Sequence, residues 1–106
     1  MLKADLMQGA FQVARLLSAI ELKGDLAPLQ PTIDEARFAL DKAMGLKAGR
    51  SEDMAKALGG AALALEKVRD ASGAEGFGKV ADRARFLSLF FLGFALNGKK
   101  KKGVNL

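Results

Sequence analysis

The sequence predicts an all-α fold: a compact four-helix bundle or array over residues 1–98, followed by a short basic tail, 99–106. Three observations carry this expectation. Apolar residues recur at alternating spacings of three and four, the signature of a helix that buries one face. Ala and Leu are abundant while Val, Ile and Thr are scarce, which favours helix over strand. Clusters of Gly, Pro and Ser then divide the chain into four such stretches joined by short links, the arrangement of antiparallel neighbours.

The first helix is expected over about 2–23. Leu6, Ala10, Val13, Leu17 and Ile20 form its stripe, flanked by Met7, Phe11 and Leu16. The stretch GDLAPLQP (24–31) should end it, with Gly24 as the C-cap and Pro28 and Pro31 preventing continuation. The second helix, about 33–48, opens on TIDE (32–35), which fits a capping box: Thr32 caps and Glu35 reaches back. Asp34 and Glu35 would also suit the positive end of the helix dipole. Its seam is Ile33, Ala36, Leu40 and Ala43, and Gly49 is the expected stop.

Ser51 is placed to cap a third helix, about 52–71, with Glu52 and Asp53 in its first turn. Met54, Leu58, Ala61, Leu65 and Val68 repeat the 4-3-4-3 spacing, and Ser72-Gly73 closes the element. Gly59 and Gly60 interrupt this helix at a cost of roughly 1 kcal/mol each relative to alanine, which suggests close approach of another helix, with a kink as the alternative. The fourth helix, about 74–97, carries the seam Phe77, Val80, Ala84, Leu87, Phe91 and Phe94, and Asn97-Gly98 is its expected stop.

Composition excludes much chemistry. The chain has no Cys, His, Trp or Tyr. Zinc and haem therefore lose their usual ligands, and acid–base catalysis loses its commonest agent. Ser18, Ser51, Ser72 and Ser88 have no histidine to activate them. The expectation is a non-enzymatic protein with no catalytic residue, cofactor, metal or small-molecule substrate. The acidic pairs Asp34/Glu35 and Glu52/Asp53 lie where helix N-termini want negative charge, so capping accounts for them better than metal binding.

The segment GAEGFGKV (73–80) fits GxxxxGK, the spacing of a phosphate-cradling loop. That loop needs a strand before it and a Ser or Thr after its lysine. Here a helix precedes it and Val80 follows, so a helix–helix turn is the better reading.

The net charge of +5 is unevenly placed. Lys99 to Lys102 supply four of the 17 basic residues, leaving 13 basic against 12 acidic groups in residues 1–98. The body is nearly neutral and the basicity sits in the tail. Asp5, Arg15 and Glu21 interrupt any signal-peptide core, and Leu2 stands where myristoylation needs glycine, so a cytoplasmic location is expected.

The fourth helix ends in RFLSLFFLGFALNGKKKK (85–102), which is apolar on every side after Arg85. At about 100° per residue, Phe86, Leu89, Gly93 and Leu96 recur opposite the core seam, with Phe90 and Leu92 between. Upstream, that back face is polar, carrying Lys79 and Asp82. Leaving Phe86, Leu89 and Leu96 in water would forgo roughly 5–9 kcal/mol.

Three covers are open: the other three helices, a second copy or protein partner, or an anionic membrane surface. The run from Phe86 to Leu96 is too short to span a bilayer, which takes about 20 residues, but shallow insertion remains open. The expected function is a protein-protein interaction or assembly module, a homo-oligomer or a subunit of an assembly. Its interface would be Phe86, Leu89, Phe90, Leu92 and Leu96. The alternatives are a nucleic-acid-associated protein and a peripheral membrane protein, each contacting its partner through Lys99, Lys100, Lys101 and Lys102.

Overall fold

A computed structural model describes residues 3–45 and 50–104, with side chains over 4–45 and 50–96. Four helices follow in order: α1 (Lys3–Ala19), α2 (Gln30–Gly45), α3 (Ser51–Ser72) and α4 (Glu75–Val104), with a 3-10 segment, Gly24–Leu29, between the first two. The described residues contain no strand. Each helix packs on its two neighbours around a ring, α1–α2–α3–α4–α1, with α3–α4 the most extensive pairing. The anticipated all-α four-helix fold is therefore the fold observed.

The core is the set of anticipated seams brought together. Leu6, Ala10, Val13 and Leu17 meet Ile33, Ala36, Leu40 and Ala43, while Met54, Leu58, Ala61, Leu65 and Val68 face Ala84, Leu87 and Phe91. No polar or charged side chain is buried among the described residues, so the interior rests on apolar burial alone. Much of the seam is alanine, which lets helix axes approach closely but leaves the larger side chains to supply most of the buried area. At the ends of the seams, Ile20, Phe77 and Val80 are only half-buried. Phe94, expected in the core, is exposed. Leu87 lies over Gly9 in an antiparallel pairing, so Phe94, two turns further on, falls past the described start of α1 at Lys3.

Several boundaries differ from expectation for local reasons. α1 stops at Ala19 rather than near residue 23. The carboxamide of Gln30 takes over: its Nε2 donates to the Ile20 carbonyl (3.1 Å) and its Oε1 accepts from the Leu22 N–H (2.7 Å). Gly24, at φ +62°, opens the 3-10 segment instead of capping α1. α2 begins before Pro31, at Gln30. A proline in the first helical turn loses nothing, because its missing N–H would have had no intrahelical partner. Thr32 is thus inside the helix and the capping box does not form; Asp34 instead accepts from Gln30 Nε2 at 3.0 Å.

The expected stop at Gly49 lies outside the described residues. Ser51 is the first residue of α3, behind an N-cap, Arg50, that makes no side-chain capping bond, while Glu52 and Asp53 occupy the first turn as anticipated. Gly73, left-handed at φ +72°, closes α3 by donating its N–H to the Arg69 carbonyl at 2.7 Å. The GAEGFGKV segment is this turn, Gly73-Ala74, followed by the first six residues of α4. Gly78 lies under the side chain of Arg69, where a Cβ would come within 2.8 Å of Cδ. At the other end, α4 does not stop at Asn97-Gly98; its helical backbone continues to Val104 through the lysine run. Lysine is a good helix former and its charge complements a helix C-terminus, which offsets the cost of the intervening glycine.

The two glycines of α3 have different roles. Gly59 faces Ser88 of α4, whose Oγ lies 3.5 Å from the site of a Cβ and donates to the Ala55 carbonyl at 2.6 Å. Gly60 faces open space, so close approach explains the first glycine and not the second. Gly60→Ala is accordingly expected to stabilise the fold by roughly 0.5–1 kcal/mol, read as a higher urea midpoint at unchanged slope.

Candidate interaction surface

α4 runs antiparallel to both flanking helices, as its cross-links show. Towards α1, Leu87 fits over Gly9 and Arg83 Nη2 donates to Gln12 Oε1 at 2.7 Å. Towards α3, Ser88 lies on Gly59 and Arg85 is paired with Glu66, which also faces Arg69 at 4.0 Å. These polar links run along the two edges of α4 and separate its buried side from an outer side. They also hold Arg83 and Arg85 against the bundle.

The outer side holds all five residues singled out as an interface. Phe86, Leu89, Phe90, Leu92 and Leu96 are between 38% and 62% exposed, with Leu89 the most exposed of them. The other three helices therefore do not wrap α4, and the internal cover anticipated as one option is absent. The reason is geometric. In a four-helix ring each helix meets only two neighbours, which leaves roughly half of its circumference facing outwards.

Phe86 and Phe90, one turn apart, set their rings 4.8 Å between centroids at 59°, a tilted pairing favoured by aromatic quadrupoles. Phe94, 38% exposed, extends the same apolar band along the α1 edge. Its place on the band was missed because the helical wheel sets it only 60° from Phe91, an angle that buries a side chain only where a neighbour stands opposite.

Gly93 completes the outer stripe. Nothing lies within 4 Å of the position its Cβ would take, so it forms a gap between the Leu89 and Leu96 side chains. Upstream, the same stripe carries the exposed acid Asp82. The Lys99–Lys102 side chains lie outside the described residues, but their backbone is helical and continuous with the stripe.

Elsewhere, large apolar side chains are exposed singly: Phe11 and Leu16 on α1, Phe38 on α2 and Leu63 on α3. Isolated exposed residues of this kind are ordinary. An open groove between α1 and α4 is lined by Asp5, Gln8, Gln12, Arg83 and Phe86, with no buried polar group to orient a ligand. Among the described residues no cluster of three or more acidic side chains is placed to hold a metal ion, and no helix is long and apolar enough to cross a membrane. Comparison with models of protein families, with curated proteins and with solved structures finds no match for this chain.

Proposed function

We propose that this chain is a non-enzymatic association module that docks through the outer face of α4, with Phe86, Leu89, Phe90, Leu92 and Leu96 as its anchors. One observation carries the reading: five large apolar side chains stand exposed on successive turns of one helix. Burying the exposed parts of Phe86, Leu89 and Leu96 would recover roughly 2–5 kcal/mol. A contiguous apolar band of this kind marks an interaction site more often than an ordinary surface. The lack of Cys and His in the sequence supports a role in binding over one in catalysis.

Light scattering with Leu89→Asp tests the reading. At 62% exposure Leu89 contributes little to the core, so the variant is expected to keep its helicity and to unfold at the midpoint wild type shows when diluted to monomer, while losing association. An assembly whose mass is unchanged by both Leu89→Asp and Leu96→Asp would place the interface elsewhere and end the proposal.

A further inference from the structure

We infer that the occupant of this face is a second copy of the same chain, docked antiparallel, with Leu89 of each protomer seated over Gly93 of the other. The inference rests on the docking role of α4 and adds the partner, its direction and its register. It follows from the order of residues along the outer stripe. Asp82, Phe86, Leu89, Gly93, Leu96 and position 100 recur at spacings of 4, 3, 4, 3 and 4, the seam of a two-helix coiled-coil contact.

Read along the helix, that stripe is acid, bulky, protruding, gap, bulky, base. Such an order matches itself when reversed. An antiparallel pair related by a twofold axis level with Phe91 sets Leu89 opposite Gly93 of its mate, Phe86 opposite Leu96, and Asp82 level with position 100. The match is one of shape and charge together. Leu89 is the most exposed anchor, and above Gly93 nothing lies within 4 Å of the Cβ position, so a knob and a hole stand four residues apart on one stripe. Phe90 and Leu92 flank the stripe on opposite sides, and each then meets its own symmetry mate. All five anchors are covered by one isologous contact, the commonest way for a single chain to close on itself.

Charge agrees with this direction: a parallel pair would bring the two four-lysine runs together, whereas reversal sets each run level with the mixed-sign stretch of Lys79 and Asp82 in the other chain. Arg83 and Arg85 do not oppose this contact, because Gln12 and Glu66 hold them at the edges of the helix.

The absence of native cysteine allows the register to be read by cross-linking. Leu89→Cys and a tagged Gly93→Cys chain are mixed, oxidised and resolved on a non-reducing gel, since a disulfide forms only where Cβ atoms come within about 4.5 Å. The expected result is a covalent heterodimer of the two variants, with Leu89→Cys alone giving little product. Wild type is expected at twice 11.2 kDa by light scattering, and Gly93→Leu at 11.2 kDa. The Gly93→Leu monomer should melt no lower than the Leu89→Asp monomer, because the added side chain meets open space within the chain and replaces a helical glycine. Asp82→Lys should weaken the dimer, and adding Lys100→Asp in the same chain should restore it, which a parallel pair would not allow.

A dominant Leu89→Cys homodimer would overturn the antiparallel register while leaving α4 as the interface. A monomeric wild type would overturn the second copy. If that monomer also sedimented with anionic vesicles of phosphatidylserine and phosphatidylcholine, and Leu89→Asp abolished this, the docking face would stand with a lipid occupant. A dimer that survives Leu89→Asp would overturn this inference, and one that survives Leu96→Asp as well would overturn the docking face with it.

Discussion

Phe91→Ala is expected to destabilise the fold by about 3–5 kcal/mol, the largest loss among single truncations of α4. Phe91 is 0% exposed and is the largest of the fully buried side chains. Removing its ring leaves a cavity in the part of the core where α1 and α3 converge on α4, and the surrounding helices can collapse into it only partly. Domains of this size are held by about 5–15 kcal/mol, so the loss would take a large share of the total. In urea the midpoint should fall at constant slope, and thermal unfolding should shift down by more than about 10 °C. Leu89→Ala, on the opposite side of the same helix, is expected to change monomer stability by no more than about 0.5 kcal/mol. A Phe91→Ala chain as stable as wild type would mean that α4 is not packed on this face.

The second large effect is expected at Gly9→Val, which should cost about 1–3 kcal/mol through overpacking. A Cβ at Gly9 would come within 3.0 and 3.1 Å of the two Leu87 methyl carbons. Leu87 is itself buried, so its side chain has little room to turn away. α1 would have to move off α4, straining the neighbouring bond between Arg83 and Gln12. Gly9→Ala should show the same sign at smaller size, and a second change, Leu87→Ala, should relieve part of the cost of Gly9→Val. Denaturant titration of the two single variants and the double variant reads this coupling directly; strictly additive losses would show that Gly9 and Leu87 do not meet.

These two positions were legible in the sequence to different degrees. Phe91 follows from periodicity, because it is in register with Ala84 and Leu87 and lies within the length of α4 that α1 and α3 cover, whereas Phe94, in the same register, is exposed. Gly9 carried no such signal. A glycine in a helix is equally compatible with close approach, with a kink and with simple exposure, and only the position of Leu87 separates these. Gly59 and Gly60 make the point side by side, one under Ser88 and the other open to solvent.

The outer face of α4 lies between these cases. The wheel identified Phe86, Leu89, Phe90, Leu92 and Leu96 as a second apolar set. It could not say whether α1, α2 and α3 would cover them, because that depends on how many neighbours a helix acquires.

By itself, the sequence determined the helical class, the existence of four elements, the central residues of each buried seam and the turn at Gly73. These follow from local rules of spacing, propensity and left-handed backbone that act within a few residues. Tertiary structure alone decided where α1 ends, since Gln30 reaches back ten residues to Ile20. It also decided which glycines are contact points, and left the apolar outer face of α4 uncovered. Each of these depends on groups distant in sequence arriving at one place, and no local pattern encodes such an arrival.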